Sequence, residues 1–478
     1  MALDMISAEG MGDLLAKQKA AHIRDGIPSA EQRIAWIDKS IDLLIANGDA
    51  LSKAMAEDFG HRSIDQSNFT DVASSIGALK FSKKNLRKWM KAEKRKTEFP
   101  LGLLGSKSHI QYQPKGVIGV ISPWNFPVNL TFAPLANVFA AGNRAMIKPS
   151  EFTERTSELM KELIAKYYTE EEVAVVTGGP DIGAAFSKLP FDHMIFTGAT
   201  SIAHHVMRAA ADNLVPLTLE LGGKSPVILG QSADLEKAAA RIMAGKTLNA
   251  GQICLAPDYA FVPEAKTRDF VGAATASVEK MFPSGLKDND DYTSVINQRH
   301  YERLNSYLDD AREKGAEIIE INPTDDNFTQ QPHHKMAPHI VLNPTDDMKV
   351  MQDEIFGPIL PVKSYTQTSD AVAYINDHAR PLGLYYFGED AAERDMVLNN
   401  TTSGGVTVND VIMHVAQEDL PFGGVGPSGM GAYHGRDGFY EFSHKKAVYT
   451  QTGSEMLAMI RPPYGERFRK TVAGRMKK

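Results

Sequence analysis

The chain of 478 residues contains one cysteine, Cys254, whose surroundings are typical of a nucleophile. Small and polar residues at 249–252 precede it, and such residues allow a backbone to run close to a ligand. Thirty-four residues upstream, the isolated carboxylate Glu220 comes just before the flexible pair Gly222 and Gly223. A thiol and a carboxylate able to activate water are what an enzyme needs to work through a thioester. A lone cysteine is more often a small buried hydrophobic residue than a nucleophile. The catalytic interpretation of Cys254 therefore depends on the neighbouring motifs.

Two interpretations compete with this one. A thiol hydrolase that needs no cofactor would pair Cys254 with a histidine, because a Cys–His pair activates such nucleophiles. The histidines to examine first are His204, His205, His414 and His434, none of which lies in a motif tied to the cysteine. A non-enzymatic binding protein built on an enzyme fold is the second alternative, since fold does not imply function.

Composition narrows the class of protein further. A net charge of −7 argues against nucleic acid as a partner. The single cysteine excludes an internal disulfide and suits a reducing compartment. The N-terminus has no secretory signal pattern, and no apolar run of about 18 residues predicts a membrane span. We therefore expect a cytoplasmic protein without a membrane span, and we assign no metal site.

Helical periodicity dominates residues 8–92, which show no residues suited to chemistry. From Val117 onward, apolar strands alternate with helices. The predicted strands are 117–121, 145–147, 173–177, 193–197 and 215–221, and the predicted helices between them are 130–141, 154–168, 183–188 and 202–211. Such alternation predicts an α/β fold with an open parallel Rossmann-type sheet and helices on both faces.

We predict that the chain has four consecutive parts. A helix at 234–249 is expected to deliver Cys254, and the run 443–450 is expected to pair with 106–113. The predicted parts are N-terminal helices (1–92), a nucleotide-binding domain (93–221), a second α/β domain with the thiol (222–415), and a segment that returns to the first domain and carries a strand for oligomerisation and a tail (416–478).

Several short motifs follow the predicted strands. Trp124 and Asn125 come just after strand 117–121, at the carboxyl end where ligands of open parallel sheets bind. Lys148 and Glu151 follow the next strand in the same way. Four further residues complete the set. Gly198 and Thr200 lead from a strand into a helix, a geometry that binds phosphate, and Glu354 lies beside Phe356 in the second domain.

In this order, with Glu220 and Cys254, these motifs resemble the NAD(P)-dependent aldehyde dehydrogenase superfamily over residues 100–450. The segments around Cys254 and at 420–434 resemble its class 3 branch. The resemblance implies that Cys254 attacks an aldehyde to give a thiohemiacetal, that the Asn125 amide and the Cys254 backbone N–H form the oxyanion hole, and that Glu220 activates the water that hydrolyses the thioester. A CoA-acylating member of the family is the alternative, although such an enzyme does not need Glu220.

The resemblance also implies the cofactor contacts. Lys148 and Glu151 match positions at the adenosine ribose, Gly198 and Thr200 match the phosphate turn, and Glu354 and Phe356 match the nicotinamide end, with Trp124 nearby. Glu354 is open to a second role as a base. Because a carboxylate at Glu151 favours a free 2′-hydroxyl, NAD is the expected cofactor and NADP the alternative. Ala203 replaces a glycine of the phosphate turn, and we expect helix–strand packing to survive.

The expected substrate is an uncharged aromatic or aliphatic aldehyde, for example coniferyl aldehyde. Bulky apolar Ile253 and Leu255 flank Cys254, and no Arg or Lys is adjacent to it. The class 3 resemblance implies a homodimer in which edge strands pair between subunits.

Overall fold

Strands and helices alternate through most of the computed structural model, which describes residues 7–99, 101–452 and 461–477. The helices are α1 (Ala8–Asp25), α2 (Ala30–Asp58), α3 (Ile64–Ser67), α4 (Ser74–Trp89), α5 (Asn129–Ala141), α6 (Glu154–Tyr167), α7 (Pro180–Ser187), α8 (Thr200–Ala211), α9 (Leu235–Thr247), α10 (Thr267–Met281), α11 (Gln298–Glu313), α12 (Lys349–Gln352), α13 (Thr368–Asn376), α14 (Ala391–Asn400), α15 (Gly435–Glu441) and α16 (Glu466–Arg475).

The strands are β1 (Glu93–Arg95), β2 (Lys107–Pro114), β3 (Val117–Ile121), β4 (Arg144–Lys148), β5 (Val173–Val175), β6 (His193–Thr197), β7 (Leu217–Glu220), β8 (Pro226–Leu229), β9 (Tyr259–Pro263), β10 (Glu317–Glu320), β11 (His339–Leu342), β12 (Ile359–Tyr365), β13 (Gly383–Phe387), β14 (Gly405–Val408), β15 (Gly429–Met430) and β16 (Ser443–Thr450). Within the described ranges they form three sheets.

The first sheet has the order β15-β7-β6-β3-β4-β5 and confirms the predicted parallel α/β fold. Its neighbours pair in parallel, except that β15 runs antiparallel to β7. The side chains of β3, β4 and β6 are almost all buried, as expected of parallel strands covered by helices on both faces. The carboxyl ends of β3, β6 and β7 therefore meet along one edge of the sheet.

The second sheet has the order β10-β11-β12-β9-β8-β13-β14 and is parallel apart from β10. The chain passes into it directly after β7, since β8 begins six residues beyond Glu220. Helix α9 packs against α10 beside this sheet. The second sheet thus carries the segment that leads to Cys254.

The third sheet is small and antiparallel, with the order β1-β2-β16. Its register pairs Ser443 with Pro114 and Thr450 with Lys107. The predicted pairing of 443–450 with the segment near 106–113 is therefore confirmed. Strand β16 lies at one edge of this sheet.

The N-terminal helices pack on the first sheet. Helix α2 contacts α4, α5 and α6, and its residues Ile37 and Leu44 share a buried core with Phe132 and Phe139 of α5. The helical prediction for 8–92 is confirmed, with one departure: residues Asn68–Ala73 form a π-turn between α3 and α4.

The predicted helix 234–249 is too long by two residues at its C-terminal end. Helix α9 stops at Thr247 because Asn249 and Ala250 have φ angles of +50° and +51°, in the left-handed region. Only glycine, and to a lesser degree asparagine, enters that region readily, so nothing in the sequence signalled it at Ala250. The left-handed turn redirects the chain toward Cys254.

Candidate active site

Cys254 lies at the end of a backbone turn that glycine makes possible. Asn249, Ala250 and Gly251 all have positive φ, the last at +72°. A Cβ on Gly251 would lie 2.4 Å from the carbonyl oxygen of Gly357, so no other residue fits there without a shift of backbone. The turn leaves Cys254 half-buried, facing a cleft.

The cleft lies between the first and second sheets and has a volume of about 200 Å³. It brings together seven of the ten residues predicted from sequence. These seven are Trp124, Asn125, Gly198, Glu220, Cys254, Glu354 and Phe356.

Two buried carboxyl groups, Glu220 and Glu354, line the cleft together with the thiol. Glu220, the last residue of β7, is 1% exposed, and neither of its oxygens has a hydrogen-bond partner within the described residues. Burial and the neighbouring charge of Glu354 raise the pKa of Glu220 to about 8. Burial and the charge of Asp258 likewise raise the pKa of Glu354 to about 8. Each carboxyl is thus poised to gain or lose a proton near neutral pH.

The same surroundings keep Cys254 in its thiol form at rest. Burial and the charges of Glu220 and Glu354 raise the pKa of the thiol well above its usual range, while the backbone N–H groups of Cys254 and Leu255 oppose the shift. A nucleophilic thiolate therefore needs a neighbouring proton acceptor. The carboxyl of Glu220, with its raised pKa, has the right affinity for that proton.

Asn125 supplies a neutral hydrogen-bond donor to the cleft. It follows β3 and is 3% exposed, and its side-chain amide donates to the carbonyl oxygen of Gln252 at 3.1 Å. A primary amide has two N–H donors, so one is left for a ligand. The pairing of this amide with a thiol in one cleft is the arrangement that stabilises an oxyanion.

The floor of the cleft is made of backbone. The N–H of Gly198, at the end of β6, donates to the carbonyl oxygen of Glu220 at 3.0 Å. A Cβ on Gly222 would lie 2.1 Å from a carboxylate oxygen of Glu354, so the glycine allows that carboxylate to lie directly against the backbone. The ring of Phe356 meets Trp124 edge-on, at 5.3 Å between centroids.

Three predicted residues, Lys148, Glu151 and Thr200, lie outside the lining of this cleft. Lys148 is 3% exposed and donates to the carbonyl oxygen of Pro149 at 2.8 Å and to Glu151 at 3.2 Å. Burial lowers the pKa of this lysine. Thr200 donates to the carbonyl oxygen of Pro427 at 3.3 Å. Their predicted roles at the cofactor stay predictions.

Ala203, where the resemblance leads one to expect glycine, is 2% exposed and shares a hydrophobic core with Leu219 of β7. Packing between α8 and the sheet has therefore survived the added methyl group.

Sequence reasoning missed two cleft residues with ionisable side chains, and both come from α11. The ring of His300 lies 5.3 Å from Trp124, and burial lowers its pKa to about 4, so the imidazole is neutral. Arg303 donates to the carbonyl oxygens of Glu354 and Phe356, both at 3.5 Å, and is the cation that the neighbours of Cys254 did not supply. Their spacing of three residues on a helix carries no sequence signal of a site.

The histidines that a thiol hydrolase would need lie elsewhere. His204 and His205 are exposed on α8. His414 contacts the Thr407 hydroxyl at 2.8 Å, and His434 stacks on Phe422 at 5.2 Å between centroids. Over residues 7–99, 101–452 and 461–477, no histidine has a hydrogen bond with the Cys254 sulfur.

Two further kinds of feature are absent from the described part of the chain. No group of three or more His, Cys, Asp and Glu residues there is placed to hold a metal ion. None of the helices described is long and apolar enough to cross a membrane.

Known proteins are similar to this chain over nearly its whole length. Residues 16–448 match the model of the aldehyde dehydrogenase family. The probable coniferyl aldehyde dehydrogenase of Caulobacter vibrioides is 63% identical, covering 98% of this chain and 97% of its own. The coniferyl aldehyde dehydrogenase of a Pseudomonas species is 52% identical, covering 96% and 95%. Mouse aldehyde dehydrogenase family 3 member A2 is 38% identical, covering 90% and 85%, in agreement with the class 3 resemblance.

Solved structures agree with these sequence matches. The substrate-bound state of Staphylococcus aureus AldH superposes with a TM-score of 0.91 at 33% identity, covering 97% of this chain and 99% of that one. A Mycobacterium tuberculosis aldehyde dehydrogenase in complex with NAD+ gives a TM-score of 0.83 at 26% identity, covering 95% and 92%.

Proposed function

Because the chain belongs to the aldehyde dehydrogenase family, we propose that it oxidises coniferyl aldehyde and related aromatic aldehydes. The class of reaction is shown by its relatives: the protein is an NAD(P)-dependent enzyme that oxidises an aldehyde to the carboxylic acid. The assignment of catalytic residues rests on one observation, which is that Cys254, Glu220 and Asn125 line the same cleft. The choice of aromatic aldehyde rests on the names of two relatives, which are 63% and 52% identical to this chain.

We assign the first chemical step to Cys254. Its thiol gives up a proton to Glu220, whose raised pKa suits the transfer, and the sulfur then attacks the aldehyde carbon. Negative charge develops on the aldehyde oxygen. The free N–H of the Asn125 amide and the backbone N–H of Cys254 would stabilise that charge, and one such donor typically contributes about 3 kcal/mol. The product of the step is a thiohemiacetal on Cys254.

The residues around the cleft fit a nicotinamide cofactor. One oxygen of Glu354 is buried without a hydrogen-bond partner in the described structure, as expected of a group that binds a ribose hydroxyl. Gly198, Glu354, Phe356 and Trp124 would hold the cofactor on this side. A nicotinamide held there would supply the hydride acceptor that oxidation of the thiohemiacetal requires.

Glu220 is the proposed base for the second half of the reaction. The thioester that forms on Cys254 must be hydrolysed by water, and a carboxylate with no competing hydrogen bonds can take the proton of that water. Glu354 shares the cleft and has a pKa of about 8 as well, so it stays the second candidate for this base.

Hydrolysis by water is favoured over the two alternatives. Transfer of the acyl group to coenzyme A does not need a base at Glu220, which is present and buried. A thiol hydrolase needs a histidine at the sulfur, and the cleft histidine, His300, instead packs against Trp124.

We propose NAD as the preferred cofactor, with NADP as the alternative. Glu151 begins a helical turn beside Lys148, and its carboxylate would accept a bond from a free 2′-hydroxyl and repel a 2′-phosphate. Lys148 lies near enough to offset part of that repulsion.

We further propose a cytoplasmic homodimer. The single cysteine is compatible with a reducing compartment. Strand β16 is an edge strand with mostly exposed side chains, and an edge of this kind is able to pair with another chain.

The experiment that tests the function is a direct assay. Coniferyl aldehyde, benzaldehyde and hexanal are each mixed with the protein and NAD or NADP, and reduced nicotinamide is followed by absorbance. We expect coniferyl aldehyde with NAD to give the highest kcat/KM. Cys254→Ala is expected to abolish the signal while cofactor binding, measured by calorimetry, is retained. Turnover by Cys254→Ala would refute the nucleophile, and a higher kcat/KM for hexanal would refute the aromatic preference. Signal that depends on added coenzyme A would identify the acylating reaction.

A further inference from the structure

A buried ion pair lies in the N-terminal region, where the sequence indicated no chemistry. Arg62 and Asp71 are 1% and 0% exposed, and a guanidinium nitrogen lies 2.6 Å from a carboxylate oxygen. The guanidinium also packs over the rings of Phe59 and Phe126, at 4.9 and 5.2 Å from their centroids. Removing two charges from water is unfavourable, and this penalty offsets much of the free energy gained from their attraction. A contribution to folding stability alone therefore does not explain the pair.

The ion pair forms hydrogen bonds at two points of the loop that carries Asn125. The second terminal nitrogen of Arg62 donates to the backbone carbonyl oxygen of Asn125 at 2.8 Å. The other oxygen of Asp71 accepts the N–H groups of Val128 and Asn129, both at 3.1 Å, at the start of α5. The loop between β3 and α5 is thus held both at the proposed oxyanion donor and at its exit into the helix.

A third residue of the same segment holds the other side of the oxyanion hole. The side-chain oxygen of Gln66 accepts the N–H of Asn249 at 2.9 Å, in the left-handed turn before Cys254. The Asn249 amide donates to the carbonyl oxygens of Asn125 at 3.1 Å and Gln252 at 3.2 Å. Since Gln252 also accepts from the Asn125 side chain, the two loops share one network of hydrogen bonds.

A local irregularity of the backbone lies at one end of this segment. Asp71 lies within the π-turn Asn68–Ala73, and π-turns inside helices occur frequently at functional sites. The turn adds a residue to the helical path, and Asp71 at this turn is fully buried against the start of α5. An ordinary helix would not present the same side chain at the same angle.

We propose that Arg62, Asp71 and Gln66 are positioning residues, which act through Asn125 and the Cys254 turn to hold the oxyanion hole in its reactive geometry. The proposal rests on the assigned role of Asn125. It predicts that weakening these contacts lowers the rate of the chemical step, because the oxyanion is then stabilised less well, as it is when the Asn125 amide is removed.

A double-mutant cycle tests it. Arg62→Lys keeps the charge but loses the fork that bonds Asp71 and Asn125 together. We expect Arg62→Lys to lower kcat with coniferyl aldehyde by about tenfold and to change KM little, because an oxyanion donor is worth about 100-fold or more in kcat. In an Asn125→Ala background the same substitution is expected to have no further effect on kcat, while its effect on Tm is equal in both backgrounds.

Arg33→Lys is the matched control. Arg33 is also buried, at 2% exposed, and donates to the carbonyl oxygen of Ala140 at 2.8 Å, at the far end of the same helix α5. It is expected to lower Tm without lowering kcat. A kcat loss equal to that of Arg62→Lys would mean that kcat follows stability alone, which would overturn the proposal.

Gln66→Met keeps the side-chain volume and provides a second test if Arg62→Lys does not fold. It is expected to lower kcat, again without further effect beside Asn125→Ala. Losses that multiply in the double variants would overturn the proposal while leaving the catalytic assignment intact. A wild-type kcat in Asn125→Ala itself would instead refute the assigned role of Asn125.

Discussion

At the scale of single residues, the main feature is a thiol placed beside two carboxyl groups. Burial and the charges of Glu220 and Glu354 raise the pKa of Cys254, and burial together with a neighbouring charge raises the pKa of each carboxyl to about 8. In the proposed mechanism a carboxyl of raised pKa accepts a proton from the thiol, releases it to solvent, and later accepts a second proton from the attacking water. One residue, Glu220, then serves both halves of the reaction.

This dual role predicts the behaviour of Glu220→Gln. Without the base, the thioester on Cys254 should form slowly and hydrolyse more slowly still. After incubation with aldehyde and NAD, mass spectrometry of the intact variant should detect the added acyl group. A variant that turns over slowly with no acyl group on the protein would assign water activation to another residue, and Glu354→Gln is then the variant to test.

The pH dependence of deacylation follows from the same pKa. Glu220 acts as a base only when ionised, and its pKa is raised to about 8, so the rate should be full above pH 8 and fall as the pH is lowered through that value. The charge of Glu354 contributes to the raised pKa. In Glu354→Gln the midpoint should therefore move to lower pH, measured by single-turnover hydrolysis of the acyl-enzyme. A midpoint unchanged by this substitution would contradict the coupling between the two carboxyls.

The sequence predicted the residues of this site that lie in short motifs and missed those that act at a distance. Glu220 ends β7 and Asn125 follows β3, so their place at one edge of the first sheet follows from parallel topology, whereas Cys254 was predicted from its own motif. Arg62 contacts Asn125 across 63 residues of chain, and the pattern around it is that of an ordinary helical region. A contact of that kind depends on tertiary packing, which one sequence does not display.

At the scale of elements, strand positions followed closely from apolar patterning. Strands β3 and β6 begin and end at the predicted residues, because they are fully buried and bounded by polar or small residues. The end of α9 and the π-turn could not be predicted from apolar patterning, because both depend on backbone angles that the local sequence does not favour. The irregular elements are the ones next to the site.

The turn before Cys254 gives a stability prediction with a matched control. Gly251→Ala forces a side chain into a position with φ of +72° and against the Gly357 carbonyl, which should cost about 1–3 kcal/mol. Gly272→Ala makes the same substitution in the exposed interior of α10, where a Cβ meets nothing, and should stabilise the protein by about 0.5–1 kcal/mol. Calorimetric Tm values should move in opposite directions, and a Tm for Gly251→Ala at or above that of the wild type would contradict the strain argument.

At the scale of the whole molecule, the site lies where the chain crosses between two large sheets. Strand β7 ends the path through the first sheet at Glu220, and β8 begins in the second at Pro226. We propose the domain division at 1–92, 93–221, 222–415 and 416–478 on this basis, with limited proteolysis as its test. A site between two sheets can draw its base from one and its nucleophile from the other.

The proposed dimer makes the last prediction, which concerns β16. Its inner edge pairs with β2 over eight residues, and its outer edge has no strand beside it in the described part of the chain. If two copies join there, light scattering should give twice the chain mass of 52.4 kDa. Alternate amides of β16, those not bonded to β2, should then be protected from hydrogen exchange at high protein concentration and exchange rapidly on dilution. A dimer whose outer β16 amides exchange rapidly at every concentration would place the interface on another surface, because amides bonded across the interface cannot exchange until the two copies separate.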